Sequence, residues 1–160
     1  MLAKKALSSM LAVLLLTFTS QVYAQTQPES ANERSKTNEG YAIHYNTLNT
    51  TFLMTEVAKK YGITRSKNRA MLNVSVRKGG GLGKFLQTQA VKAKVTVQAT
   101  NLANQLETIN MWEVLDGDAI YYIGTFAKTD KEIFKFTITV DPENKGSVHE
   151  IKFRQQFFVD

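Results

Sequence analysis

The sequence of 160 residues contains no cysteine, only two prolines and only two histidines. Without cysteine the chain forms no disulfides and has neither a thiol nucleophile nor a thiolate metal ligand, so its fold depends on the hydrophobic core alone. No apolar run approaches the ~20 residues that a membrane-spanning helix requires. The formal charge of +6 favours solubility and attraction to anionic surfaces, but it does not single out nucleic acid as a partner.

The N-terminus has the pattern of a secretory signal peptide. Lys4 and Lys5 form a positive region, Leu11–Leu16 a short apolar run, and Val22 and Ala24 occupy the small-residue positions of a cleavage site. We expect cleavage after Ala24, and therefore a periplasmic protein with no membrane span after cleavage. An uncleaved membrane anchor is the alternative, which the shortness of the apolar run disfavours.

Composition divides the rest of the chain into two parts. Residues 25–39, QTQPESANERSKTNE, contain no large apolar residue, and we expect a disordered leader there. From Gly40 onward Phe, Tyr, Ile, Val and Thr become frequent. Residues 40–160 therefore form one predicted β-rich domain, of a size that suits a single core.

Seven segments have the alternating or two-sided apolar pattern of β-strands. They lie at residues 41–46, 72–77, 91–99, 106–114, 119–126, 134–140 and 148–159. The fifth follows a turn, Asp116-Gly117-Asp118, in which Gly117 supplies a positive φ. One short helix is predicted between the first two strands, over Glu56–Tyr61, with Thr55 as its cap and Gly62 at its end.

These patterns predict an all-β fold, namely an antiparallel two-sheet sandwich of immunoglobulin-like architecture. It has about seven strands, with the short helix between strands 1 and 2. A closed barrel is the main alternative. Five aromatic residues are assigned to the sandwich core, and Phe158 and Tyr121 are the candidates for an exposed apolar patch. The five are Trp112, Phe134, Phe136, Phe153 and Phe157.

Four stretches resemble a known family. They are HYNTLNTTFL at 44–53, VAKKYGITRSKNRAMLNVSV at 57–76, GDAIYYIGTF at 117–126, and the C-terminal KFRQQFFVD. Together they resemble the bacterial domain-of-unknown-function 4426 family of small exported proteins from Gram-negative bacteria. The resemblance implies export and a sandwich fold, and it supplies no catalytic residue. The chain departs from the family pattern at KGGGLGKFLQ, so the role of the Gly79–Gly83 loop stays open.

Several chemical motifs are incomplete. The segment Gly79–Lys84 resembles a phosphate-binding loop, but Lys78 stands where the first glycine belongs and Phe85 replaces the hydroxyl residue that holds magnesium. His44 and His149 lack a third ligand for zinc. No Gly-x-Ser-x-Gly nucleophile elbow is present. We therefore predict no metal, no cofactor and no catalytic residues.

A dense basic cluster follows the predicted helix. Its members are Lys59, Lys60, Arg65, Lys67 and Arg69. Two interpretations stay open, a partner-binding site and a structural corner in which Arg65 or Arg69 bridges to Glu56 or Asp118. Nucleic acid is not an expected partner, because aromatic residues are not interleaved with the cations and the signal-peptide pattern predicts export.

The leading functional hypothesis is a non-catalytic binding or interaction module of the cell envelope. Its partner would be another envelope protein, or an anionic envelope component held by the basic cluster. The first alternative is a hydrolase-like envelope enzyme with no recognisable motif. The second is a strand-donating assembly or chaperone-like factor, since sandwiches recruit partners by edge addition.

Overall fold

A computed structural model describes residues 33–38, 40–79 and 88–159. The predicted signal peptide, most of the leader and Gly80–Gly83 lie outside the described residues. A 3-10 turn at Thr50–Phe52 and helix α1 at Thr55–Lys60 lie between the second and third strands. The strands are β1 Glu33–Asn38, β2 Tyr41–Asn49, β3 Arg69–Lys78, β4 Gln89–Ala90, β5 Ala93–Asn101, β6 Leu106–Ile109, β7 Met111–Asp116, β8 Ala119–Ala127, β9 Glu132–Pro142 and β10 His149–Phe157.

The strands form two antiparallel sheets. The first has the order β1-β2-β3-β8-β7 with β4 beside β3, and the second has the order β10-β9-β5-β6. The series β2-β3-β8-β7 and β6-β5-β9-β10 correspond to strands A-B-E-D and C′-C-F-G of the immunoglobulin sandwich. The predicted immunoglobulin-like, antiparallel sandwich is therefore confirmed, with ten described strands rather than seven, and the barrel alternative is wrong.

Strand β1 corrects the expected boundary of the leader. Residues 33–38 belong to the segment predicted to be disordered, yet they pair antiparallel with β2. Lys36 Nζ donates to the Glu150 carbonyl of β10 (2.7 Å), and Arg34 Nη1 donates to the Arg154 carbonyl (3.4 Å). The Arg34 guanidinium also lies 5.0 Å from the Phe153 ring centroid. These contacts cover the free edge of β10, which disfavours strand addition there.

The predicted strand at residues 106–114 is two strands in different sheets. β6 pairs with β5 in the second sheet, whereas β7 pairs with β8 in the first. Asn110 is the single residue between them, so the chain crosses from one sheet to the other at that point. Ile109 faces the core, whereas Trp112 and Val114 of β7 pack on the outer face of the first sheet, which explains why apolar residues appear on both faces of the segment.

The core between the sheets is aromatic at one end. The Phe126 ring, 1% exposed, makes edge contacts with Phe134, Phe136 and Phe157 at centroid distances of 5.5, 5.4 and 5.3 Å. These three and Phe153 confirm their assignment to the core. Trp112 does not, because it packs on the outer face of the first sheet.

A second apolar cluster covers that outer face. Ala58 of α1 and Ile63 pack against Met71 of β3 and Ile123 of β8, and all four are buried. The helix begins one residue earlier than predicted and is capped by Met54, with no side-chain cap from Thr55. It ends at Lys60, also one residue earlier than predicted, whereas Gly62 has the predicted left-handed conformation, with a φ of 68°. The segment thus closes over the sheet and positions the basic cluster.

Candidate functional site

Residues 50–69 form the corner segment, which holds the 3-10 turn, α1 and the loop into β3. Thr50 is fully buried at its start. The Thr50 hydroxyl accepts a hydrogen bond from the Ser66 N–H (2.9 Å) and lies 3.1 and 3.2 Å from the Ser66 and Arg69 carbonyls. Because one buried hydroxyl joins both ends of the segment, the corner is a fixed loop on the sheet.

The two arginines of the basic cluster hold this loop together. Arg65 donates to the Thr55 hydroxyl (2.7 Å) and to the Thr51 carbonyl (3.0 Å). Arg69 donates to the hydroxyl of Thr125 on β8 (2.6 Å). The expected bridges to Glu56 or Asp118 are therefore replaced by hydroxyl and carbonyl partners. For these two residues the geometry favours the structural interpretation.

Lys60 is paired at the surface. Its ammonium lies 3.0 Å from a carboxylate oxygen of Asp116 and 4.9 Å from the Tyr61 ring centroid. The pKa of the Asp116 carboxyl is lowered, mainly by the hydrogen bond from Lys60 and next by one from Tyr61. Both charged side chains are more than half exposed, so solvent screens the pair and it contributes little to stability.

Lys59 and Lys67 are the accessible cations of the cluster. Both are exposed, and neither forms a hydrogen bond or an ion pair with another residue that the structure describes. The cluster therefore separates into two structural arginines, one paired lysine and two available lysines. Glu56 is the single carboxylate of the corner segment.

Exposed apolar side chains lie on the same segment, which was not predicted. Phe52 is 69% exposed, Met54 73% and Val57 37%. Phe158 is 50% exposed and shares with Phe52 a shallow depression of about 180 Å³ at the end of β10. The stretch TTFLM at residues 50–54 contains three apolar side chains, but only the fold shows that Phe52 and Met54 face outward.

Tyr121 does not join this patch. It is half-buried in a trough on the outer face of the first sheet, so Phe158 and Tyr121 do not form one surface. The trough consists of two adjoining depressions of about 430 and 290 Å³ that share Asn73 and Tyr121. The larger lies beneath the corner segment and is mostly apolar; the smaller is mostly polar and extends over β2 and β3.

The two histidines lie apart, one on the outer face of the first sheet and one buried on the second sheet. His44 faces the polar end of the trough, whereas His149 is buried with its ring centroid 6.4 Å from that of Tyr41. Among the described residues, no group of three or more His, Asp or Glu side chains is placed to hold a metal ion. Within the same part of the chain, no helix is long and apolar enough to cross a membrane.

Comparison with known proteins gives one family and several similar folds. The model of a domain of unknown function, DUF4426, matches residues 35–160. A crystal structure of a DUF4426 family protein from Pseudomonas aeruginosa PAO1 is similar, with a TM-score of 0.67 and 28% identity over 81% of this chain and 97% of that chain. No curated protein matches.

More distant structures share the fold. FetP from uropathogenic Escherichia coli strain F11, expressed in the periplasm, has a TM-score of 0.57 and 10% identity, covering 79% of this chain and 94% of its own. A copper-bound variant of FetP has a TM-score of 0.56 and 10% identity, covering 78% of this chain and 93% of its own. At this identity the similarity concerns the sandwich alone.

Proposed function

The chain belongs to the DUF4426 family, a domain of unknown function, and on that premise we propose that it is an exported, non-catalytic module that docks on an anionic membrane surface of the cell envelope. The signal-peptide pattern of residues 1–24 supports export to the periplasm. FetP, with a similar fold, was also produced in the periplasm. The corner segment is the docking surface.

The observation that supports docking is that exposed apolar and basic side chains occur together on a fixed loop. Phe52 and Met54 are 69% and 73% exposed, and Lys59 and Lys67 lie on the same segment without partners among the described residues. A surface that pairs protruding apolar side chains with cations matches the interface of an anionic bilayer, where the hydrocarbon boundary lies beneath negative headgroups.

The expected affinity is modest. Complete burial of an apolar side chain of this size contributes about 1.5–3 kcal/mol. Each lysine close to an anionic surface adds about 1 kcal/mol. Phe52 and Met54 together with two lysines therefore support reversible association, and the electrostatic part weakens as salt is raised. A single short loop of this kind is a peripheral contact and not an anchor.

Co-sedimentation with vesicles tests the proposal. We expect the protein without residues 1–24 to bind phosphatidylethanolamine vesicles that contain phosphatidylglycerol, and to bind phosphatidylcholine vesicles much more weakly. Phe52→Ser with Met54→Ser should abolish most of the binding, and Lys59→Glu with Lys67→Glu should do the same at low salt. None of the four side chains has a polar partner among the described residues, so we expect the variants to fold.

A matched control uses the opposite end of the molecule. Val148 lies in the β9–β10 turn, beside the end of the first sheet where Tyr41 and Lys78 contact Glu143, and is 59% exposed, so Val148→Ser removes exposed apolar surface there. This control should bind like the parent protein. Equal binding by the Phe52/Met54 variant and the parent would overturn the proposal, and so would equal binding to both kinds of vesicle.

A further inference from the structure

We propose that the trough on the outer face of the first sheet binds a single-chain amphiphile, with the hydrocarbon tail under the corner segment and a hydroxylated, anionic head over β2 and β3. The side chains that carry the docking proposal do not line this site; they are Phe52, Met54, Lys59 and Lys67. The inference therefore goes beyond the proposed function and does not depend on it.

The pairing of the strands creates a gradient from polar to apolar across the sheet. His44 of β2 lies opposite Ser75 of β3, which lies opposite Tyr121 of β8. The next row runs from Asn46 through Asn73 to Ile123. Both rows have polar residues on β2 and β3 and an aromatic or aliphatic residue on β8. The β2 and β3 end of the trough therefore suits a polar group, and the β8 end suits a hydrocarbon.

The apolar end is an open depression bordered by the sheet and by the corner segment. Met71, Ile123 and Val114 form its floor, and Leu53 and Ile63 of the corner segment flank it. Its volume of about 430 Å³ lies within the range of small-molecule sites, which are mostly apolar and contain a few polar groups that fix orientation.

Asn73 supplies the polar group at the junction of the two depressions. Its Oδ1 is buried and has no hydrogen-bond partner among the described residues. A buried acceptor without a donor is costly, and a ligand hydroxyl or N–H placed there removes the cost. The head of the ligand is therefore expected to donate a hydrogen bond at this position.

Arg77 supplies positive charge at the far end of the polar depression. Its Nε and Nη2 donate to the hydroxyl and carbonyl of Thr88 (2.6 and 2.5 Å), which holds the guanidinium in place on the sheet. A head that carries a hydroxyl beside Asn73 and an anion towards Arg77 satisfies both groups. Lysophospholipids with a glycerol headgroup have this combination of hydroxyl, phosphate and single chain.

Calorimetric titration with monomeric ligands, without vesicles, tests the site. The probes are lauroyl lysophosphatidylglycerol below its micelle concentration, laurate, and glycerol 3-phosphate. We expect saturable binding of the lysolipid, weaker binding of laurate, whose carboxylate has no hydrogen to donate, and very weak binding of glycerol 3-phosphate, which has no tail.

Asn73→Val separates the head contact from the tail contact. We expect it to weaken lysolipid binding about tenfold and to leave laurate binding nearly unchanged, because only the lysolipid donates to the Asn73 amide. Val114→Asp should weaken both probes. The control Thr96→Val, at an exposed position of the second sheet, should change neither.

Two results would overturn the inference. One is the absence of saturable lysolipid binding to the parent protein. The other is an equal effect of Asn73→Val on the lysolipid and on laurate, with circular dichroism showing that the variant is folded. Phe52→Ser should keep full lysolipid affinity, because Phe52 does not line the trough, so failure of the docking surface and failure of the trough are distinguishable.

Discussion

Replacing Tyr122 by phenylalanine removes a single hydroxyl that joins the two sheets. Tyr122 of β8 is 6% exposed, and its hydroxyl accepts a hydrogen bond from the Ala93 N–H of β5 (2.8 Å). The same hydroxyl lies 3.1 Å from Glu113 Oε2 and donates to it. Lys92 in turn holds Glu113 by an ion pair of 2.9 Å, and its hydrogen bond lowers the pKa of that carboxyl.

The substitution leaves the ring in place and deprives the Ala93 N–H of its acceptor. Ala93 is 8% exposed, so water reaches this N–H poorly. A buried donor without an acceptor costs about 1–3 kcal/mol. At roughly 4 °C per kcal/mol for a domain of this size, we expect the melting temperature to fall by roughly 4–12 °C.

Urea unfolding followed by the fluorescence of the single tryptophan, Trp112, measures the effect. The matched control is Tyr121→Phe, the same change one residue earlier on the opposite face. The Tyr121 hydroxyl makes no hydrogen bond within the described part of the chain, so its removal should cost less than ~0.5 kcal/mol. Equal stabilities of the two variants would refute the assigned role of the Tyr122 hydroxyl.

Two further predictions concern acid stability and packing. The Glu143 carboxylate accepts hydrogen bonds from Lys78 (2.8 Å), the Tyr41 hydroxyl and Lys145 (3.0 Å), which together lower its pKa from 4.5 to about 2. The contribution of this carboxylate to stability is complete above about pH 4.5 and is lost as the pH falls towards 2. Glu143→Gln should therefore reduce the loss of stability in acid, measured as the urea midpoint at each pH. Parallel pH profiles for the variant and the parent protein would contradict this. Gly124→Ala should lower the free energy of unfolding by about 1–3 kcal/mol in the same assay, because the added Cβ would lie 2.4 Å from Met111 Sδ and 2.5 Å from Ile109 Cγ2. A variant as stable as the parent protein would contradict this, since it would mean that these side chains move aside without loss of stability.

Much of the sandwich was predictable because alternation is a local property. Strands β3, β5, β9 and β10 alternate in the sequence and bury the predicted faces. Strand β1 was not predictable from its residues, ERSKTN, because its pairing depends on β2 and its side chains reach a strand more than a hundred residues away. The crossing at Asn110 was hidden for a similar reason, since sheet membership is not encoded in a short apolar run.

The site was predictable in position but not in composition. The basic cluster marked the corner segment, yet the partners of Arg69 and Lys60 come from β8 and β7, each 56 residues away in sequence. The trough needed the register of three strands, because Asn73 and Tyr121 become neighbours of one cavity only after pairing. Sequence alone gave no sign that Phe52 and Met54 face outward.

Depth-resolved fluorescence quenching tests the membrane-docking proposal most directly. A tryptophan introduced by Phe52→Trp in a Trp112→Phe background reports whether the corner segment enters the bilayer, and Val148→Trp in the same background is the control at the other end of the molecule. We predict that phosphatidylglycerol vesicles with brominated acyl chains quench the tryptophan at position 52 and leave that at position 148 unquenched. Membrane-bound protein with no quenching at position 52, or with equal quenching at both positions, would contradict docking through the corner segment.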